Sequence, residues 1–198
     1  MKFNYRLSKK KKQKIAQNLI DILEKEQTPL METVSFIGNW ILTPRDEKFK
    51  AFYDVWELVL KNYMPKTSPI LIRSIERKSK AEYIASFTNS AYCANRFSTS
   101  FGTPIKHNIG NGEYIELSGQ GKGYWIICDT KQTVKIFEKA YKKGEYKYTF
   151  YPLSEVFKKA KANGGWGFSD DLINTGIGED EYIMKINYSI MNLLKFIN

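Results

Sequence analysis

The sequence predicts an α+β fold, with helices first and a mostly antiparallel sheet region after them. Three observations carry this. Apolar residues recur at helical spacing up to Pro65, and short runs of β-branched and aromatic residues take over after Pro69. With 42% apolar and 15% aromatic residues, the chain has the composition of a folded globular protein. Its 198 residues suffice for one core but not two comfortable ones. The expectation is one domain over 1–198, with an N-terminal helical region at 1–66 and an α+β core at 67–198.

The first helix is expected over 9–26, where Ile15, Leu19, Ile22 and Leu23 share one face opposite lysines and acids. Lys9 to Lys12 read as its solvated first turn. A second helix is expected from Thr43 as cap and Pro44 at the first helical position. Phe49, Phe52, Trp56, Val59 and Tyr63 would form its buried face, and Pro65 would stop it. Strand-like runs follow at 70–75, 82–88, 113–117, 124–129, 145–151 and 181–188. Gly119, Gly121 and Gly123 suggest a hairpin between the third and fourth of these. Helices are expected at 131–142, ended by Gly144, and at 154–162, ended by Asn163, Gly164 and Gly165.

A net charge of +10 attracts polyanions. Two distant cysteines, Cys93 and Cys128, and a single histidine, His107, speak against a zinc site, so no metal is expected. The cysteines fit small core residues of a reduced, cytoplasmic protein. No apolar run approaches membrane-spanning length, and the basic N-terminus lacks the apolar stretch of a secretion signal.

Three stretches carry candidate chemistry. In "YIASFTNSAYCANRF" (83–97), Ser86 and Thr88 stand where a strand should end, before Ala94 and Phe97 mark one face of a helix. Hydroxyls at such a junction cap the helix or hold something, because burying them without partners is costly. In "GIGEDEYIM", Glu179 and Glu181 flank Asp180 immediately before a strand, where alternate residues share a face. Three adjacent acids repel one another unless a cation or a task compensates. In "ILIRSIER", Arg73 follows three apolar residues, and a guanidinium near the end of an inner strand calls for an anionic partner.

In chain order, these three stretches resemble the R-S-E class of mono-ADP-ribosyltransferases of bacterial toxin and phage type. "LIRS" resembles the family's arginine strand. "SFTNSAYCANRF" resembles its serine motif with the following helix, Phe87 replacing the middle threonine. "GEDEYI" resembles its E-x-E strand. The resemblance covers about residues 69–185. The spacing from Arg73 to Ser86 is short and that from Thr88 to Glu179 long for the family. Arg77 is the second choice for the arginine, and the literal Ser-Thr-Ser at 98–100 is set aside because glycine and proline follow it.

The resemblance implies an ADP-ribosyltransferase-like fold, in which two small, mostly antiparallel sheets form a cleft for NAD, the co-substrate. It implies that Glu181 stabilises an oxocarbenium-like ribose, that Ser86 orients Glu181 or the ribose, and that Arg73 pairs with the pyrophosphate. Thr88 would secure the strand-to-helix turn next to the cofactor, and Glu179 would orient or deprotonate the acceptor. It also implies that Trp166 and Phe168, in the glycine-rich stretch before the acids, contact the target. The alternative for that pair is two rings folded back on the core. The acceptor is expected to be macromolecular, a protein arginine first and RNA or DNA second, and an antitoxin or a host target is a conceivable partner. A reading of another class also stands, a basic nucleic-acid-binding or inhibitor protein without enzymatic activity.

Overall fold

The computed structural model describes residues 5–44, 47–75, 84–96, 103–109, 112–118, 124–131, 149–188 and 191–195. Among them the fold is α+β. Three helices lead: α1 (Lys9–Glu24), α2 (Met31–Leu42) and α3 (Lys50–Asn62). Strands β1 (Ile70–Ile75) and β2 (Ile84–Thr88) follow, then the short helix α4 (Ala91–Arg96). Next come β3 (Thr103–Ile109), β4 (Gly112–Ser118), β5 (Tyr124–Asp129) and β6 (Phe150–Pro152). Helices α5 (Leu153–Ala162) and α6 (Asp170–Gly178) precede β7 (Glu181–Lys185) and β8 (Asn192–Lys195).

Helix α1 opens with Ser8, whose Oγ accepts from the Lys11 amide at 3.3 Å, one of the donors that every helix start leaves unpaired. Helix α2 was not legible: Thr33, Val34 and Ile37 are β-branched and Gly38 sits mid-helix, so propensity argues against it. Tertiary burial of Phe36, Ile37 and Trp40 overrides that preference. Thr43, expected to start a helix, instead ends α2, its amide and hydroxyl both donating to the Asn39 carbonyl at 3.1 and 2.6 Å. The aromatic helix begins later, at Lys50, and of the expected stripe Phe52, Trp56, Val59 and Tyr63 are buried while Phe49, its N-cap, is partly buried. Ala51, Val55 and Leu60 are buried with them.

The main sheet has the order β6-β7-β2-β1-β5-β8, and all its pairs are antiparallel. Its pairing is uneven. Strands β1 and β5 share a six-residue register, and β2 and β7 a five-residue one, from Ile84 opposite Lys185 to Thr88 opposite Glu181. Between β1 and β2 the register is the single pair Ile72 and Thr88. The sheet is therefore two three-stranded halves joined at one point. Inward-facing Ala85, Phe87, Phe150, Tyr182 and Met184 of one half cluster with Leu71, Ile75, Ile126 and Cys128 of the other. The opposite face of β2 and β7, through Ile84 and Ile183, packs with Tyr151 on the three N-terminal helices.

Strand β4 pairs with β3, not with β5, so the hairpin expected between the runs at 113–117 and 124–129 does not form. Its glycines at 119, 121 and 123 lie outside the described residues. So do Arg77, Phe97, the Ser-Thr-Ser at 98–100, all but the first residue of the helix expected at 131–142, and the start of the run at 145–151.

Helix α6 occupies what reads as a glycine-rich loop. Ser169 caps it by accepting from the Leu172 amide at 3.3 Å, and Asp170 and Asp171 complement the positive end of its dipole. Gly176 is there for packing: a Cβ would run into the buried ring of Phe157. Gly176→Ala, which raises helix propensity, is therefore expected to destabilise the protein by about 1–3 kcal/mol through overpacking. Urea unfolding midpoints measure this, and a stabilised variant would show that α6 and α5 do not meet at this position.

Burial also sets an alkaline limit. It pushes the phenols of Tyr63 and Tyr182 up to about 12, helped by Glu24 and Glu155 at Tyr63 and by Asp180 and Glu155 at Tyr182. Buried Tyr151, whose hydroxyl donates to the Leu19 carbonyl at 2.6 Å, is raised well above the ordinary value of 10.0. The folded state thus favours the protonated phenols. That contribution is complete below the unfolded value of 10.0 and is lost as pH climbs through about 12. Circular dichroism and phenolate absorbance followed together should show unfolding and ionisation in one step within that window.

Candidate active site

A cleft of about 390 Å³ opens where the two halves of the sheet part. The sheet supplies Ile72, Arg73 and Ser74 from β1, Ser86 to Thr88 from β2, and Glu181 from the start of β7. The walls are Trp40 and Ile41 of α2, Thr43, Pro44 and Lys48 after it, Ala94 of α4, and Glu179.

Glu181 is buried at 6% exposure. Because Ser86 stands opposite Ile183, it lies diagonal to Glu181 on the same sheet face, within reach of a hydroxyl. Ser86 Oγ donates to Glu181 Oε1. A second donor, Trp40 Nε1–H of α2, reaches the same oxygen at 3.0 Å. The other oxygen, Oε2, is enclosed and accepts no hydrogen bond from the described residues. A buried carboxylate oxygen left so is costly, which points to a donor arriving from outside.

The acids do not lie along one strand as expected. Glu179 is the C-cap of α6, with helical backbone angles, and Asp180 turns at φ 47° into the left-handed region that Asp tolerates better than most residues. Only Glu181 begins β7. The three carboxylates diverge. Glu179 lines the cleft, Asp180 Oδ1 accepts from Ser154 Oγ at 3.3 Å, and Glu181 points inward. Glu179 and Glu181 thus share the cleft through a turn and not through alternation.

Arg73 lies in the break between the halves. Its Nη1 donates to the Ser86 carbonyl at 2.7 Å, crossing the gap where ladder pairing has stopped. Thr88, opposite Glu181, uses its Oγ1 to accept from the Ser90 amide at 3.1 Å, and Ser90 Oγ accepts from the Cys93 amide at 3.3 Å. One hydroxyl of the pair thus secures the turn into α4 and the other holds a carboxylate. Ser74 Oγ, donating to the Ala94 carbonyl at 2.7 Å, fastens α4 to β1. Nothing matches this chain among known protein families, curated proteins or solved structures.

Trp166 and Phe168 take the second of their two readings. Residues 164–167 all have positive φ, coiling the loop back so that Phe168 is buried with its ring 5.2 Å from that of Phe157. Trp166 packs half-buried on the same cluster, and neither ring lines the cleft. Trp40 and Lys48, which do line it, carried no signal in the sequence. Trp40 is 141 residues from Glu181, on the unanticipated helix. Among the described residues no helix is long and apolar enough to cross a membrane, and no cluster of three or more His, Cys, Asp or Glu could hold a metal.

Proposed function

We propose that the cleft binds NAD and that the protein transfers ADP-ribose from it to a macromolecular acceptor, a protein side chain in the first instance. The observation that carries this reading is Glu181: an enclosed carboxylate with one oxygen fixed by Ser86 and Trp40, the other without a donor, and Arg73 in the same cleft. The volume lies in the range of small-molecule sites.

In this reading the nicotinamide–ribose C–N bond breaks and its electron pair goes to the ring nitrogen, quenching the pyridinium charge. Positive charge develops on the ribose, where the fixed carboxylate of Glu181 stabilises it without having to reorganise. A ribose hydroxyl supplies the donor that Oε2 lacks. The acceptor nucleophile bonds to the ribose carbon and passes its proton to Glu179 at the cleft wall. Arg73 holds the pyrophosphate, as a guanidinium does well by geometry as well as charge. Phe168, being buried, offers no surface to an acceptor.

The experiment is incubation of the purified protein with labelled NAD, in parallel with cell lysate and with total RNA. Label on a protein band together with nicotinamide release supports the reading in full. Label on RNA moves the acceptor to nucleic acid, and free ADP-ribose alone leaves water as acceptor. No nicotinamide release and no NAD binding would overturn the proposal and leave a basic binding protein.

A further inference from the structure

We infer that Trp40 is a positioning residue for Glu181, so that the N-terminal helices complete the site instead of merely flanking it. The inference rests on the proposed role of Glu181.

Its basis is the fixity of the donor. Trp40 is 1% exposed, with its ring edge-on to Phe52 at 5.9 Å, to Trp56 at 5.7 Å and to Tyr53 at 6.3 Å. The Lys48 ammonium lies 3.9 Å from the ring centroid and donates to the main-chain carbonyls of Trp40 and Thr43, the latter at 3.0 Å. Ring and backbone of this residue are thus gripped together, and the indole N–H has one partner, Glu181 Oε1. A serine hydroxyl rotates freely about its Cβ–Oγ bond, whereas the direction of an indole N–H is set by its ring. Ser86 alone would allow the carboxylate to pivot about one hydrogen bond. Two donors converging on Oε1 from two different elements, β2 and α2, remove that freedom and hold Oε2 on one heading. Preorganisation of this kind separates a fixed charge from one that must reorient during the reaction.

The test uses Trp40→Phe, which keeps an aromatic ring in the cluster and removes only the N–H and one ring. Loss of a hydrogen bond to a charged group should lower kcat for nicotinamide release roughly tenfold to a hundredfold, with the KM for NAD little changed. A purely structural role would move neither constant once the variant is folded. A second readout needs no turnover. In nitrogen-15-labelled protein, the indole signal absent from Trp40→Phe identifies Trp40, and Glu181→Gln should shift it more than the other three indole signals. Wild-type kcat in folded Trp40→Phe, or a Trp40 signal indifferent to Glu181→Gln, overturns the inference. A wild-type protein that releases no nicotinamide overturns the proposed function instead, and the indole shift then decides alone whether Trp40 holds Glu181.

Discussion

Glu181→Gln is expected to lower nicotinamide release from NAD by roughly a hundredfold or more while leaving the fold intact. The substitution is nearly isosteric, and its carbonyl oxygen can still accept from Ser86 and Trp40, so the hydrogen bonds that seat the side chain survive. The negative charge does not. In its place the enclosed Oε2 position receives an amide whose protons point toward a ribose that is becoming positive, turning a stabilising contact into a repulsive one. Thermal unfolding should even move slightly upward, because the buried carboxylate and its unpartnered oxygen are a cost to the fold that an active site carries for its task. Rate loss with retained or raised stability is thus the signature. A wild-type rate in the variant would remove Glu181 from the reaction. Equal losses of rate and stability would make it a structural acid.

Why Glu181 and Ser86 were legible and Trp40 was not is a matter of which interactions are local. β1 and β5 occupy 70–75 and 124–129, the limits their β-branched and aromatic runs suggest, because half-buried pleated surfaces select those residues directly. The contact between Ser86 and Glu181 follows once β2 and β7 pair, since register then decides which side chains are diagonal neighbours. Pairing itself is long-range. Nothing in the glycines at 119–123 distinguishes a partner for β4 downstream from one upstream, and the structure takes the upstream strand β3. Helices α2 and α6 are made of residues that disfavour helix locally, Thr, Val, Ile and Gly, and exist because they cover apolar surface. A contact between an invisible helix and the start of a distant strand leaves no local trace. Likewise Trp166 and Phe168 look exposed beside three glycines, yet those glycines are what allow the loop to coil back and bury Phe168.

Arg73 offers the second large effect, because it has a structural and a binding task that substitution can separate. The guanidinium bridges the gap where β1 and β2 part, donating to a Ser86 carbonyl that ladder pairing no longer serves. Arg73→Met should leave that carbonyl without its donor, at about 1–3 kcal/mol, or roughly 2–12 °C in Tm for a chain of this size. It should also raise the KM for NAD roughly tenfold to a hundredfold, the range for losing charge-assisted hydrogen bonds to a pyrophosphate. Arg73→Lys divides the two tasks. A lysine ammonium keeps the positive charge in the cleft but lacks the planar fork that serves a carbonyl on one side and an anion on the other. It should recover most of the stability or part of the NAD affinity, but not both, since one compact ammonium cannot occupy both ends of the fork. If Arg73→Lys matches wild type in Tm and KM together, the arginine is a point charge only. The split in the sheet would then need another explanation for why it stays open at this residue.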